Sequence, residues 1–123
     1  MKKNEIFRCS HCGLVVEIRA EGATPVCCGE PMQKQEPKYN DTGAEKHLPV
    51  VEATANGTKV KVGSIPHPMT AEHYIQWIEI INGDYVNTKY LTPENSPEAE
   101  FYVPQTDKIK VRCYCNIHGL WEV

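Results

Sequence analysis

Four cysteines lie in an N-terminal segment that has too few apolar side chains to form a core of its own. They are Cys9, Cys12, Cys27 and Cys28. Between residues 7 and 32 the chain also carries three glycines and few large apolar residues, so burial of apolar surface alone cannot stabilise this segment. The segment is therefore expected to fold around a metal ion or around disulfide bonds.

The spacing of these cysteines favours a metal ion but does not identify it. Cys9-x-x-Cys12 is the spacing at which a tight turn presents two sulfur atoms to one tetrahedral ion, about 2.3 Å from each. Cys27 and Cys28 are adjacent, so both can reach one ion only if the backbone bends sharply, and Gly29 permits such a bend. Sulfur-only ligation is typical of zinc or iron. From the spacing alone, a structural zinc ion, a redox-active iron and a disulfide pattern all remain open.

The composition narrows the cellular setting and the possible partners. The start, "MKKNEIFRCS", lacks the apolar stretch of about 7 to 15 residues that a secretory signal needs, so we expect a cytoplasmic protein in which thiolates bind metal. No apolar run approaches the roughly 20 residues of a membrane helix, which predicts no membrane segment. The net charge is −3 and the basic residues are scattered, which predicts no nucleic-acid binding.

The remainder of the chain has the pattern of a β-domain. "KQEPKYNDTGAEK" is polar and aperiodic, and it predicts a metal module over residues 1–36, a linker over 37–43 and a second domain over 44–123. In that domain short β-branched or aromatic runs alternate with turns, two of which contain Asn-Gly, the strongest short hairpin signal. Six or seven strands without helical periodicity predict an immunoglobulin-like antiparallel β-sandwich, and hence a mainly β protein.

A second group of possible metal ligands is spread over this domain. Cys115 and His118 form a Cys-x-x-His pair near the end, which alone is weak evidence because it is also half of a zinc site. His47, His67 and His73 stand at predicted loop and strand-end positions, where a sandwich can gather side chains from distant segments onto one rim. Imidazole suits iron, copper, zinc and nickel.

Several longer motifs, read together, carry a family resemblance. In order along the chain they are "C-x-x-C", "CCGEPM", "EKHLPV", "KVKVGSIPHPM", "HYIQWIE", "PEAEF" and "YCNIHG". Over nearly its whole length the chain thus resembles the desulfoferrodoxins, the two-iron form of superoxide reductase. The resemblance implies a desulforedoxin-like iron held by the first four cysteines. It also implies a catalytic iron held by one cysteine and four histidines, namely Cys115, His47, His67, His73 and His118.

The resemblance also implies an activity and partners. The expected reaction is one-electron reduction of superoxide to hydrogen peroxide at the second, ferrous iron, without production of dioxygen. Glu45 and Lys46, beside His47, match a mobile pair in which the lysine attracts the anion and the glutamate closes the open iron position in the ferric state. Without the resemblance, a solvated charge pair would be the simpler interpretation. A homodimer and a rubredoxin-like electron donor are implied as well.

Two other classes of function remain as alternatives, and one residue departs from the family pattern. The chain could instead be an electron-transfer protein that works through the four-cysteine iron, or a binding module stabilised by structural zinc. Cys113 stands where the family usually has glutamate, and it is expected to be a spectator thiol rather than part of the ligand shell. A disulfide between Cys113 and Cys115 would destroy the site. His11 is expected to be exposed and inert, and Trp77 and Trp121 are expected to pack in the core or at its rim.

Overall fold

A computed structural model describes residues 2–123, and β-strands are the main regular secondary structure of these residues. The chain divides into two units, the first ending at Glu36 and the second comprising Pro37–Val123. Residues 37–43, predicted as a linker, lie in the second unit. Within the described residues no helix has the length and apolar character that a membrane span requires.

The N-terminal unit consists of short strands around a very small core. The strands are β1 (Ile6–Arg8), β2 (Val15–Glu17), β3 (Val26–Cys27), β4 (Glu30–Pro31) and β5 (Gln33–Gln35). β1 lies between β2 and β5 in an antiparallel sheet, and β3 and β4 form a separate hairpin. One buried cluster contains only Phe7, Cys9 and Met32, with a few partly buried neighbours. So little buried apolar surface is consistent with a fold that depends on its cysteines.

The second unit, residues 37–123, is a two-sheet sandwich. It contains one short helix, α1 (Ala44–His47), and the strands β6 (Pro49–Thr54), β7 (Gly57–Val62), β8 (Ile75–Asn82), β9 (Tyr85–Tyr90), β10 (Glu98–Phe101), β11 (Lys110–Cys115) and β12 (Gly119–Glu122). One antiparallel sheet has the order β10-β7-β6 and the other β12-β11-β8-β9. Buried apolar side chains from both sheets form one cluster between them. The predicted mainly β fold, a four-cysteine module followed by a β-sandwich, is confirmed.

The two Asn-Gly hairpins are both present, although their turns are not centred identically. β6 and β7 pair up to Thr54 opposite Gly57, so the first turn ends before the glycine. β8 and β9 pair up to Asn82 opposite Tyr85, which places Gly83, at φ +60°, inside the second turn. The asparagine of the first Asn-Gly pair therefore lies in the turn, whereas in the second pair it is the glycine that does.

A β-bulge near the start of β8 decides which side chains face the core. In the pairing of β8 with β11, Tyr114 lies opposite Trp77 but Cys115 lies opposite Ile75, so Gln76 is skipped. Side chains alternate between the faces of a strand, and one extra residue reverses that alternation. The bulge consequently turns Ile75 into the buried cluster that contains Cys115.

Candidate metal centres

A tight turn after β1 brings the first pair of cysteines together. The Cys9 N–H donates to the carbonyl of Leu14 at 2.9 Å, and the Gly13 N–H donates back to the carbonyl of Cys9 at 3.0 Å. Gly13 has φ +80°, a left-handed conformation that suits glycine. The Cys12 N–H points at the sulfur of Cys9, at 3.5 Å. The turn thus surrounds the Cys9 sulfur with backbone donors.

The adjacent pair reaches the same point because the backbone bends at two successive residues. Cys28 has φ +53° and Gly29 has φ +78°, so both are left-handed. The Cys27 sulfur lies 3.5 Å from that of Cys12 and 3.9 Å from that of Cys28. Sulfur atoms about 2.3 Å from a tetrahedral ion are about 3.8 Å apart, whereas a disulfide needs about 2.05 Å. The four thiols are free, and their spacing fits one tetrahedral zinc or iron ion.

The thiols of this cluster differ in how easily they lose a proton. Backbone N–H groups of Cys12 and His11 that point at the sulfur lower the pKa of Cys9 to about 6. Hydrogen bonding with Cys12, then with Cys9, raises the pKa of Cys27 to about 12, and the pKa of Cys28 is raised by the same two partners. The thiolate of Cys9 is therefore available before those of Cys27 and Cys28 at neutral pH, and a metal that recruits Cys27 and Cys28 must displace their protons.

The second group of ligands is assembled from separate parts of the sandwich. His47 ends α1, His67 lies in the loop after β7, His73 precedes β8, Cys115 ends β11 and His118 lies in the turn before β12. One ligand atom from each of the five lies within 4.8 Å of all the others. His47, His67 and Cys115 are buried, whereas His118 is exposed, so the group is closed on one side and open to solvent on another.

Backbone carbonyls fix the orientation of two of these imidazoles. Nδ1 of His47 lies 2.8 Å from the carbonyl oxygen of Gly43, and Nδ1 of His67 lies 2.7 Å from that of Pro68. Because a carbonyl only accepts, each Nδ1 must carry the proton, and each Nε2 then has a bare lone pair. The two Nε2 atoms lie 3.1 Å apart, so two acceptors face each other. A cation bound by both lone pairs resolves this contact.

The remaining histidines agree with that arrangement. Nε2 of His73 is buried and has no hydrogen-bond partner among residues 2–123, which is unfavourable for a polar atom unless it binds a metal. Burial lowers the pKa of His67 to about 4, and it also lowers the pKa values of His47 and His118. These imidazoles are therefore neutral at pH 7, the form that binds metals. The five residues fit an iron ion.

Two neighbours hold His47 in place, and the sequence predicts a role at the site for neither of them. The indole of Trp121 stacks on the His47 ring, with 4.9 Å between centroids and 18° between planes. The thiol of Cys113 donates to the His47 carbonyl at 3.1 Å. Cys113 is fully buried, which raises its pKa, and it lies outside the five-residue group. The pairing of Cys113 with Trp121 across β11 and β12 explains why both reach His47.

The predicted charge pair lies on α1 beside this group. The side chains of Glu45 and Lys46 are exposed. The helix backbone is fixed by the loop after β7, because the Ile65 N–H and the Ser64 hydroxyl both donate to the Glu45 carbonyl, at 2.8 and 3.2 Å. The backbone of this pair is thus held in place, whereas its side chains are open to solvent.

The three other residues singled out from the sequence lie as follows. Trp77 is buried and stacks on Tyr114, with 5.7 Å between ring centroids. Trp121 is buried, as expected for a core residue. His11 is exposed, and its Nε2 lies 3.0 Å from a carboxylate oxygen of Glu30.

Comparison with known proteins gives consistent matches over the whole chain. The family model described as Desulfoferrodoxin matches residues 39–123, and the one described as Desulfoferrodoxin, N-terminal domain, matches residues 1–35. A desulfoferrodoxin homolog from Methanothermobacter thermautotrophicus is 54% identical over 96% of this chain and 96% of its own length. A desulfoferrodoxin from Nitratidesulfovibrio vulgaris is 49% identical over 96% of this chain and 94% of its own. The crystal structure of the superoxide reductase from Treponema pallidum is similar, with a TM-score of 0.73 and 29% identity over 100% of this chain and 99% of that one.

Proposed function

Because the chain belongs to the desulfoferrodoxin family, as its motifs predict, we propose that it is a superoxide reductase with two iron sites per chain. In the reaction, superoxide takes up one electron and two protons to give hydrogen peroxide, and no dioxygen is formed. The observation that carries the proposal is the second ligand group, in which four imidazoles and one thiol converge within 4.8 Å of one another. Two of those imidazoles already direct bare Nε2 atoms at each other.

The donor set suits this chemistry. His47, His67, His73, His118 and Cys115 would hold the second iron, and Cys9, Cys12, Cys27 and Cys28 the first. When bound by the five-donor group, ferrous iron supplies the single electron and a vacant coordination position for a small anion. The side chains around it determine what reaches that position. His118 is exposed, so superoxide and the water that brings protons can approach from its side.

Attraction of the substrate must be local, because the chain as a whole has a net charge of −3 and repels an anion. The exposed Lys46, next to the buried ligand His47, supports this role. A unit charge about 4 Å away contributes about 1 to 4 kcal/mol at surface dielectrics. Glu45, whose exposed side chain precedes Lys46 on α1, would close the open iron position in the ferric state.

The main experiment tests the ligand assignment and the reaction together. The protein should contain two irons per chain, and a thiolate-to-iron absorption band should appear when the second site is oxidised. Cys115→Ser should abolish superoxide reduction in rapid mixing and remove that band, while the spectrum of the four-cysteine iron stays intact. Retained activity in Cys115→Ser would reject Cys115 as a ligand of the second iron. Zinc at both sites would favour the zinc-stabilised binding module instead.

Two lysine variants with the same change of charge test the proposed role of Lys46. Lys46→Ala should slow the bimolecular reaction with superoxide and weaken its dependence on ionic strength, because it removes the local attraction. Lys108 is also exposed, and Lys108→Ala makes the same change of charge outside the ligand segments. Equal rates for the two variants would count against a role for Lys46.

The remaining expectations stay predictions. A rubredoxin-like donor would deliver electrons to the chain, which would form a homodimer and be cytoplasmic. The division into a module over 1–36, a linker over 37–43 and a catalytic domain over 44–123 is retained as a proposal about which segment does what. If superoxide were not reduced while the four-cysteine iron still cycled with a donor, the electron-transfer alternative would replace the enzymatic one.

A further inference from the structure

Lys38 belongs to none of the motifs that identify the second metal site, yet its backbone is attached to the strand that follows His118. The Lys38 N–H donates to the carbonyl of Leu120 at 2.9 Å, and its carbonyl accepts from the Glu122 N–H at 3.0 Å. These bonds form an isolated parallel bridge between Lys38 and Trp121. The position of Lys38 beside β12 is therefore set by its backbone and does not depend on its side chain.

The Lys38 ammonium reaches two ligands by separate routes. Nζ donates to the carbonyl of His118 at 2.8 Å, which restrains the exposed turn that carries this histidine. Nζ also lies 5.7 Å from the centroid of the Trp121 ring, a cation–π distance. Trp121 in turn stacks on His47. One side chain thus contacts the backbone of one ligand and the aromatic support of another.

The charge of Lys38 also acts on the electrostatics of the ligands. Its ammonium lies 2.8 Å from the carbonyl oxygen of His118 and 5.7 Å from the centroid of the indole that stacks on His47, so a positive charge is held beside the ligand group. Since ferric iron carries one positive charge more than ferrous iron, a nearby fixed cation favours the ferrous form.

We propose that Lys38 is a positioning residue of the second metal site, which holds the His118 turn in place and, as a fixed cation, raises the reduction potential of the bound iron. The same charge attracts superoxide, and that part rests on the proposed function. Lys46 differs because its exposed side chain stands on α1, whereas Lys38 is bonded to the backbone of a ligand.

Three variants separate these effects. Lys38→Met keeps the length of the stem but removes both the charge and the donor, whereas Lys38→Arg keeps both. Lys89→Met makes the same change of charge at an exposed position on β9, the opposite edge of the sheet from β12. In iron-loaded protein, the potential of the second iron is measured by following its thiolate-to-iron band during a redox titration.

Lys38→Met should lower that potential, and Lys38→Arg and Lys89→Met should leave it close to that of the unmodified protein. The rate with superoxide should fall about two- to fivefold in Lys38→Met at low ionic strength, and less at high ionic strength. Equal potentials for Lys38→Met and Lys89→Met would overturn the proposal. A low potential that Lys38→Arg did not restore would also overturn it.

Two further outcomes are also decisive. If Lys38→Met lost only the second iron, with the first retained and Lys38→Arg fully loaded, the role in holding the His118 turn would be supported. If neither Lys38→Met nor Lys38→Arg retained the second iron, the charge and the donor would not be what the site requires, and the proposal would fail. Should the unmodified protein fail to reduce superoxide, the proposed function would fall, but the potentials would still decide the role of Lys38.

Discussion

Replacing Gly63 by alanine should weaken metal binding at the second site and leave the first site unchanged. A Cβ atom at Gly63 would lie 2.9 Å from the carbonyl oxygen of Glu45, 3.0 Å from that of Leu48 and 3.0 Å from the carbonyl carbon of Lys46. Ordinary contacts between such atoms are about 3.5 to 4.0 Å, so a gap of about 0.5 to 1 Å must open. All three atoms belong to the backbone, and no side-chain rotation can relieve the contact.

The size of the effect follows from where these atoms lie. They belong to α1 and the residue after it, and α1 ends with the ligand His47. Metal–ligand distances are held to within about 0.2 Å, which is less than the required displacement. Overpacking of this kind costs about 1 to 3 kcal/mol. If the strain falls on the metal-bound form, the affinity of the second site should fall by about 5- to 150-fold, since about 1.4 kcal/mol corresponds to a factor of ten.

The assay is a titration of the metal-free protein with Co²⁺ in competition with a chelator. Cobalt gives distinct spectra with four thiolates and with a mixed histidine and cysteine group, so each site is followed separately. Gly22→Ala is the control, because a Cβ at Gly22 meets nothing within 4 Å and its φ lies outside the left-handed region. The reasoning is refuted if Gly63→Ala and Gly22→Ala bind Co²⁺ equally well at the second site.

Further substitutions test the support of His47, a buried ion pair of the sandwich and the first metal site. Cys113→Val removes the donor to the His47 carbonyl and should lower the free energy of unfolding in urea by about 1 to 3 kcal/mol, whereas Cys113→Ser keeps a donor and should lose less; the opposite order would contradict the role of this hydrogen bond. Glu79→Gln removes the charge that pairs with the buried Arg112, whose Nε donates to Glu79 at 2.8 Å, and should cost about 3 to 5 kcal/mol in the same measurement. A loss below about 1 kcal/mol would show that this pair is not the main compensation for the buried charge. Cys28→Ser should release the first metal and make the N-terminal unit sensitive to protease, without changing the spectrum of the second site; unchanged protease resistance would mean that this unit folds without its full set of sulfur ligands.

The parts of this structure that the sequence predicts are those that depend on local spacing. The Cys9-x-x-Cys12 turn needs only a few residues and one glycine, and the runs of β-branched residues define most strands without reference to their neighbours. A sharp bend at the adjacent cysteines is also predicted from the sequence, because both must reach one ion. It did not predict that Cys28 itself adopts a left-handed conformation, because a positive φ at a cysteine has no compositional signal.

Contacts between residues distant in sequence are the features that the local pattern does not predict, and the five-ligand group is predicted only through the family resemblance. Helix α1 is only four residues long, too short for helical periodicity, and its backbone is held by the loop after β7. The supporting roles of Trp121 and Cys113 depend on the register between β11 and β12. The burial of Ile75 opposite Cys115 depends in addition on the bulge at Gln76. A sequence pattern specifies which face of a strand is apolar, but it does not reveal an extra residue that reverses the faces partway along.

At both sites, hydrogen bonds with the backbone set the protonation of the ligand atoms before any metal binds. At the first site N–H groups point at the Cys9 sulfur and favour a thiolate. At the second site carbonyls accept from Nδ1 of His47 and His67 and leave Nε2 bare. The two ligand sets give the metal-bound sites net charges of opposite sign. A divalent iron with four thiolates is negative overall and repels superoxide, whereas one with four neutral imidazoles and a single thiolate is positive and attracts it. Net charge therefore favours the second site for the anionic substrate, and leaves the first to roles that require no anion to bind.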